Sequence, residues 1–103
     1  MKLSGKMNLR ILHSFADKLN EQINYIAEDK PGAAKKFKSD ILKRIREVPE
    51  MPYANRKSIF FDRENIRDLI FKGYIIVYKV DDKNGIITVF GFTKYKDDPF
   101  KKI

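Results

Sequence analysis

The sequence contains no cysteine and a single histidine, His13, among its 103 residues. Without cysteine the chain can form neither a disulfide framework nor a thiolate metal site, and one imidazole cannot supply a histidine-rich metal site. His13 has no evident serine or cysteine partner, so a surface or strand-end histidine is the simpler interpretation. The glycines are isolated and form no phosphate-binding loop. We therefore expect no cofactor and no metal, and a reducing cytoplasm fits this composition.

Long hydrophobic runs are also missing. The apolar stretch from Met7 to Leu12 is short and is interrupted by Asn8 and Arg10, so it does not read as a signal peptide. No window approaches the length of a membrane span, and we expect no membrane partner. The length predicts one domain covering residues 1–103, with 1–6 and 97–103 as loose ends.

Positive charge is in clear excess. The chain has 22 Lys and Arg against 14 Asp and Glu, a formal net charge of +8. Such an excess favours an anionic partner, which could be nucleic acid, a phosphate-rich surface or an acidic protein. The plainer alternative is a charged surface that serves only solubility.

The first half of the chain predicts a short strand over Met7 to Leu12 and then two amphipathic helices. Ser14 and Asp17 form an imperfect capping box for the first helix, and Pro31 suits the first turn of the second. The first apolar stripe comprises Phe15, Leu19, Ile23 and Ile26, and the second comprises Ala34, Phe37, Ile41, Ile45 and Val48. Pro49 and Pro52 end the second helix. The connection is short, so the helices form an antiparallel hairpin.

The second half predicts strands. A short strand is expected at Ile59 to Phe61, and longer ones follow at Ile66 to Phe71, Tyr74 to Val80 and Ile86 to Thr93. Tight turns are expected at Lys72-Gly73 and at Asn84-Gly85, because Asn and Gly accept positive φ. The strand from Tyr74 is apolar at nearly every position, which indicates a central place in the sheet. The fold class is α+β: an N-terminal strand, the helical hairpin, then a three-stranded antiparallel β-meander with the hairpin on one face.

A set of basic and aromatic residues near the sheet carries the candidate chemistry. The set comprises Tyr53, Arg56, Lys57, Arg63, Arg67, Tyr78, Lys94, Tyr95 and Lys96. Arginine and lysine can hold phosphates, and tyrosine can stack on bases or transfer a proton. Each has a structural alternative. Tyr78 fits a core position with its hydroxyl hydrogen-bonded, Arg67 can pair with Asp62 or Asp68, and the stretch from Lys94 to Lys96 can be a solvated strand end.

The order of these elements and several local strings resemble the RelE/ParE superfamily of bacterial toxins. The strings are Tyr25-Ile26-Ala27-Glu28-Asp29, Pro31 with Ala33-Ala34-Lys35-Lys36-Phe37, Asn65-Ile66-Arg67-Asp68-Leu69, and Gly73-Tyr74-Ile75-Ile76-Val77-Tyr78. The resemblance covers about residues 8–96. It implies the toxin of a type II toxin–antitoxin pair, which arrests bacterial growth and is silenced by a cognate antitoxin.

The superfamily implies two alternative activities. ParE-like members inhibit DNA gyrase, whereas RelE-like members cleave mRNA on the ribosome without a metal, by attack of the 2′-OH on the adjacent phosphate. RelE-like nucleases typically have arginine at the position that Ile75 occupies here, and isoleucine cannot stabilise a developing charge. We therefore favour gyrase inhibition.

If the chain is a nuclease, the expected catalytic residues are Arg67, Lys94 and Tyr95. Under either activity, the expected target-binding residues are Arg56, Lys57, Arg63 and Lys96. A third alternative is a basic binding module on the same fold without catalytic activity.

Overall fold

The computed structural model describes residues 7–94, and these form two helices and five strands. The elements are β1 (Asn8–Ile11), α1 (His13–Asp29), α2 (Pro31–Glu47), a 3-10 turn (Val48–Glu50), β2 (Arg56–Lys57), β3 (Ile66–Phe71), β4 (Tyr74–Asp81) and β5 (Ile86–Lys94). The predicted α+β class, N-terminal strand, helix pair and antiparallel meander are confirmed. The predicted loose ends, 1–6 and 97–103, lie outside the described residues. Neither helix is long and apolar enough to cross a membrane.

All five strands belong to one sheet, in the order β1-β5-β4-β3-β2. Strands β2, β3, β4 and β5 pair antiparallel, as consecutive short connections require. Strand β1 instead pairs parallel with β5, from Asn8 opposite Ile86 to Ile11 opposite Val89. Two strands lie on each side of β4, so the central position predicted from its apolar sequence is confirmed.

The first residue of α1 is set by pairing with the sheet and not by a side-chain cap, whereas α2 begins where the sequence predicts. The capping-box prediction is wrong: Leu12 is the N-cap of α1, and no side chain caps it. The reason is that the Leu12 backbone N–H still donates to the carbonyl of Val89 on β5, so the helix begins directly where sheet pairing ends. Helix α2 does begin at Pro31, as predicted, and Lys30 alone separates the two helices. It ends at Glu47, and Pro49 lies in the following 3-10 turn.

The helical hairpin covers one face of the sheet, and the main core lies between them. The helices contribute the predicted stripes, and the sheet contributes alternate residues of three strands, as period-two geometry requires. The fully buried members of this core include Phe15, Ile41, Ile45, Ile76, Tyr78, Ile87 and Val89. Tyr78 is therefore a core residue, as its position in the central strand indicated.

A loop covers the opposite face. Ile66, Ile75 and Val77 form a second apolar cluster, and Ile59 and Phe60 pack on it together with Phe90. The strand predicted at Ile59 to Phe61 is wrong, and the short pairing strand is Arg56–Lys57 instead. The Ile59 backbone N–H donates to the Asp68 carboxylate at 3.0 Å, so a side chain takes the place of a strand partner.

The two predicted turns both form. Lys72 and Gly73 have φ of 46° and 84°, the left-handed geometry of a tight hairpin turn. Between β4 and β5 only Gly85 has positive φ, at 66°, so the expectation for Asn84 is wrong. Asn84 instead donates its backbone N–H and its side-chain amide to the Asp81 carboxylate, at 3.1 and 2.9 Å. This side-chain pairing also holds the pKa of Asp81 below its usual value.

Candidate functional site

Most of the predicted cationic residues lie at the end of the sheet where β3 begins. Arg67 lies opposite Tyr78 in the strand register and is bound on every side. Its Nε and Nη1 donate to the backbone carbonyls of Glu64 and Asn55 at 2.8 and 3.1 Å, and Nη2 donates to the Glu64 carboxylate at 3.2 Å. Its side chain is only 15% exposed. The partner is Glu64, and neither Asp62 nor Asp68.

Tyr53 lies over this arginine. The Arg67 Cζ is 4.8 Å from the Tyr53 ring centroid, within the range of a cation–π contact. The Tyr53 hydroxyl donates to the Asp82 carboxylate at 2.7 Å, and this hydrogen bond raises the tyrosine pKa. In this arrangement Tyr53 is a hydrogen-bond donor to Asp82 and a stacking surface for Arg67.

Arg56 and Lys57 on β2 are also paired with carboxylates. Arg56 Nη2 lies 3.3 Å from the Asp68 carboxylate, whose side chain is fully buried. Lys57 lies 3.1 Å from Asp62 and 3.6 Å from Glu64, and the hydrogen bond to Asp62 raises its pKa.

Arg63 differs from these two residues. It is exposed, and within residues 7–94 it has no ion-pair partner. Among the predicted target-binding residues that the structure describes, Arg63 is the one that can present its charge to a partner without first breaking a pair.

Lys94 lies at the opposite end of the sheet. It is opposite Tyr74 in the register, four residues along β4 from the partner of Arg67. At strand spacings this separates Lys94 from Arg67 by roughly 13 Å along the strands and roughly 10 Å across them. Tyr95 and Lys96 lie outside the described residues. The structure thus brings Arg56, Lys57 and Arg67 together and places Lys94 apart from them.

Lys94 lies beside a shallow cleft between α1 and β5. The cleft has a volume of about 430 Å³, and its lining residues are Lys18, Glu21, Gln22, Tyr25, Phe92, Thr93 and Lys94. The Lys94 Nζ is 5.7 Å from the ring centroid of Tyr25, whose side chain is mostly exposed. Sequence reasoning named Tyr25 only within a string of the family resemblance and not as a site residue, because an exposed tyrosine on a polar helix face carries no pattern of its own. In residues 7–94, no three His, Asp or Glu side chains converge as a metal site would require.

Asp68 was missed as an organising residue. One of its oxygens binds Arg56 and the Ile59 N–H, while the other is buried without a hydrogen-bond partner. A buried carboxylate in a strand is costly unless it is paired, so Asp68 ties β2 and the covering loop to β3. The only sequence signal was an aspartate among apolar strand residues, which does not reveal its partners.

Comparisons with known proteins agree with this architecture. Residues 9–99 match the family described as the ParE toxin of the type II toxin–antitoxin system parDE, and the chain therefore belongs to that family. The match confirms the resemblance to the RelE/ParE superfamily. No curated protein matches the sequence significantly.

Three solved structures share the fold. The chromosomal ParDE system from P. aeruginosa matches with a TM-score of 0.72 and 15% identity, covering 88% of this chain and 98% of that chain. A mutant of the E. coli toxin RelE in the free state matches with a TM-score of 0.59 and 16% identity, covering 90% of this chain and 87% of that chain. The RelBE2 toxin–antitoxin complex from Mycobacterium tuberculosis matches with a TM-score of 0.61 and 10% identity, covering 86% of this chain and 98% of that chain.

Proposed function

We propose that this chain arrests bacterial growth by inhibiting DNA gyrase and that a cognate antitoxin neutralises it. The family match to ParE toxins supports the toxin assignment. The environment of Ile75 is the observation that favours gyrase inhibition over mRNA cleavage. Its side chain is wholly buried in the second apolar cluster, beneath the loop that contains Ile59 and Phe60. A position that RelE-like nucleases use for a phosphate-binding arginine is here part of a hydrophobic core.

Within residues 7–94, the candidate cations Arg56, Lys57, Arg67 and Lys94 do not compensate for this loss. Metal-independent RNA cleavage needs positive groups preorganised around one phosphate, with donors about 3 Å from the developing charge. Arg56 and Lys57 are held by carboxylates, Arg67 is occupied by Glu64 and Asn55, and Lys94 lies at the other end of the sheet. Binding to a protein target requires no such convergence, so this arrangement fits gyrase inhibition better than ribosome-dependent mRNA cleavage.

The proposed antitoxin follows from the family and from charge. The P. aeruginosa and M. tuberculosis neighbours are toxin–antitoxin systems by name. A chain with a net charge of +8 is complementary to an acidic protein segment. We place both the antitoxin and the gyrase target in the cytoplasm.

The test is expression of the protein alone in a bacterial host, followed by assays of purified gyrase supercoiling and of mRNA cleavage at ribosomes. We expect growth arrest, loss of supercoiling and intact mRNA. Arrest with cuts in mRNA and normal supercoiling would replace this proposal with the endonuclease alternative. Soluble protein without arrest would leave only a non-catalytic binding module.

Matched variants sharpen the result. Arg63→Glu reverses an exposed, unpaired charge at the basic end of the sheet and is expected to weaken gyrase inhibition several-fold. Arg10→Glu makes the same charge change on β1, at the other edge of the sheet, and serves as the control. Lys94→Ala tests the endonuclease alternative. If wild-type protein cuts mRNA and Lys94 is catalytic, this variant should no longer cut it.

A further inference from the structure

The two helices of the hairpin carry opposite charge. Helix α1 has four carboxylates and one lysine, whereas α2 has two carboxylates and six basic residues. The basic residues of α2 are Lys35, Lys36, Lys38, Lys43, Arg44 and Arg46. Among the described residues, no ion pair joins the two helices, so α1 does not neutralise the charge of α2.

Three of these residues form a row on the outer face of α2, which we call the α2 crest and define as Lys35, Lys43 and Arg46. At 100° per residue they lie opposite the buried stripe of the helix. The first and the last of them are eleven residue steps apart, or roughly 16 Å along the axis. All three are exposed, and none has an ion-pair partner within residues 7–94. Lys36 differs, because Asp40 binds it at 3.1 Å.

The chemistry of the crest selects one kind of partner. Interfaces with proteins are built around buried apolar or aromatic anchors, and the crest offers none, since the only aromatic residue of α2, Phe37, is buried in the core. Single-stranded nucleic acid is held by aromatic stacking, which is also missing there. Three unpaired cations on the outer face of a rigid helix can instead contact several phosphates of a duplex, which carries one negative charge per about 1.7 Å of its axis.

We propose that the α2 crest binds the phosphate backbone of duplex DNA without reading its sequence. B-form DNA is favoured over duplex RNA because its wide major groove admits the side of an α-helix, whereas the major groove of RNA is deep and narrow. Phosphate contacts from lysine and arginine position a protein on DNA and carry no sequence information. This binding needs neither gyrase nor an antitoxin, so it stands independently of the proposed function.

The test measures binding of the purified full chain to a labelled duplex of arbitrary sequence, about 25 base pairs long, by fluorescence anisotropy at about 50 and 200 mM salt. The variant Lys35→Gln/Lys43→Gln/Arg46→Gln removes the crest. The control Arg10→Gln/Lys79→Gln/Lys83→Gln removes the same charge from exposed residues on other elements. Circular dichroism melting of all three proteins checks that each is folded.

We expect the wild type and the control variant to bind duplex DNA, and the crest variant to bind at least about tenfold more weakly. The slope of log affinity against log salt should become shallower by roughly 2.7 in the crest variant, at about 0.9 for each phosphate that a crest cation neutralises in the wild type. Equal reductions of affinity in the two variants would show that only net charge matters and would overturn the proposal. Tighter binding to duplex RNA or to polyglutamate than to duplex DNA would also overturn it.

Discussion

The hydroxyl of Tyr78 donates a hydrogen bond to the backbone carbonyl of Pro52 from inside the core. The same oxygen accepts a hydrogen bond from the Asn55 side chain at 3.1 Å. The central strand thereby holds the loop that leads from α2 to β2. That loop also carries Tyr53 and the Asn55 carbonyl, which contact Arg67. The buried hydroxyl of Tyr78 therefore helps to hold the loop residues that contact Arg67.

Replacing this hydroxyl should destabilise the fold. Tyr78→Phe keeps the ring but leaves the Pro52 carbonyl and the Asn55 amide without their partner, which we expect to cost about 1–3 kcal/mol. Urea denaturation measures the change in unfolding free energy. Tyr25→Phe is the control, since that ring is exposed, and it should change stability by less than about 0.5 kcal/mol. Equal stabilities of the two variants would remove Tyr78 as the anchor of the loop.

Arg67 is expected to be a structural residue as well as a candidate site residue. Arg67→Lys retains the charge but cannot reproduce the fork that contacts Glu64 and Asn55 together, so we expect a destabilisation of about 1–3 kcal/mol. Arg63→Lys, at an exposed position without such contacts, should have no measurable effect on thermal unfolding. If Arg67→Lys unfolds at the wild-type temperature, the Arg67 fork contributes nothing to stability, and any change in toxicity of an Arg67 variant would reflect the target directly.

Gly91 allows β5 to approach β4 closely. A Cβ at this position would lie 2.9 Å from the Cβ of Val77, closer than two such atoms can pack. Gly91→Ala should therefore destabilise the protein by about 1–3 kcal/mol, and adding Val77→Ala should recover part of that stability. Gly32→Ala is the contrasting control, because a Cβ there meets nothing within 4 Å and the residue is helical. It should be neutral or stabilising. Additive destabilisation in the Gly91/Val77 double variant would contradict this account.

The ion pairs of Asp40 should stabilise the fold at neutral pH and lose this effect in acid. A hydrogen bond from Lys36, with Lys72 nearby at 3.7 Å, lowers the pKa of Asp40 below its usual 3.8. Because the folded pKa is depressed, the stabilisation is present above pH about 4 and is lost as the pH falls through the folded pKa. The melting temperature of Asp40→Asn should lie below that of wild type at pH 7, and the gap should close towards pH 2.

High salt should also narrow the gap for Asp40→Asn at pH 7, since the three charges are partly solvated. Glu21→Gln, an exposed carboxylate on α1 without an ion-pair partner in residues 7–94, is the matched control and should show no such gap. A gap for Asp40→Asn that persists at pH 2 would assign the effect to helix propensity and not to charge.

Sequence reasoning succeeded where the cause is local. The stripes of α1 and α2 recur with the helical period, and the turn at Lys72-Gly73 needs backbone geometry that glycine supplies. It failed where a distant group decides. The start of α1 depends on the hydrogen bond from Leu12 to Val89, and the path of the loop at Ile59 depends on Asp68. Neither interaction leaves a pattern in the residues around it.

The amino-acid sequence by itself determined the α+β class, the order of the elements and the central place of β4, because hydrophobic period and turn chemistry act over a few residues. Its local strings also carried the resemblance to the RelE/ParE superfamily, which the family match confirmed. Only the tertiary structure decided which cations are free. In the folded protein Arg56 pairs with the buried Asp68, and Arg67 pairs with Glu64. Lys94 lies at the far end of the sheet. Charge pairing depends on distances across strands, and those distances are set by sheet register and packing.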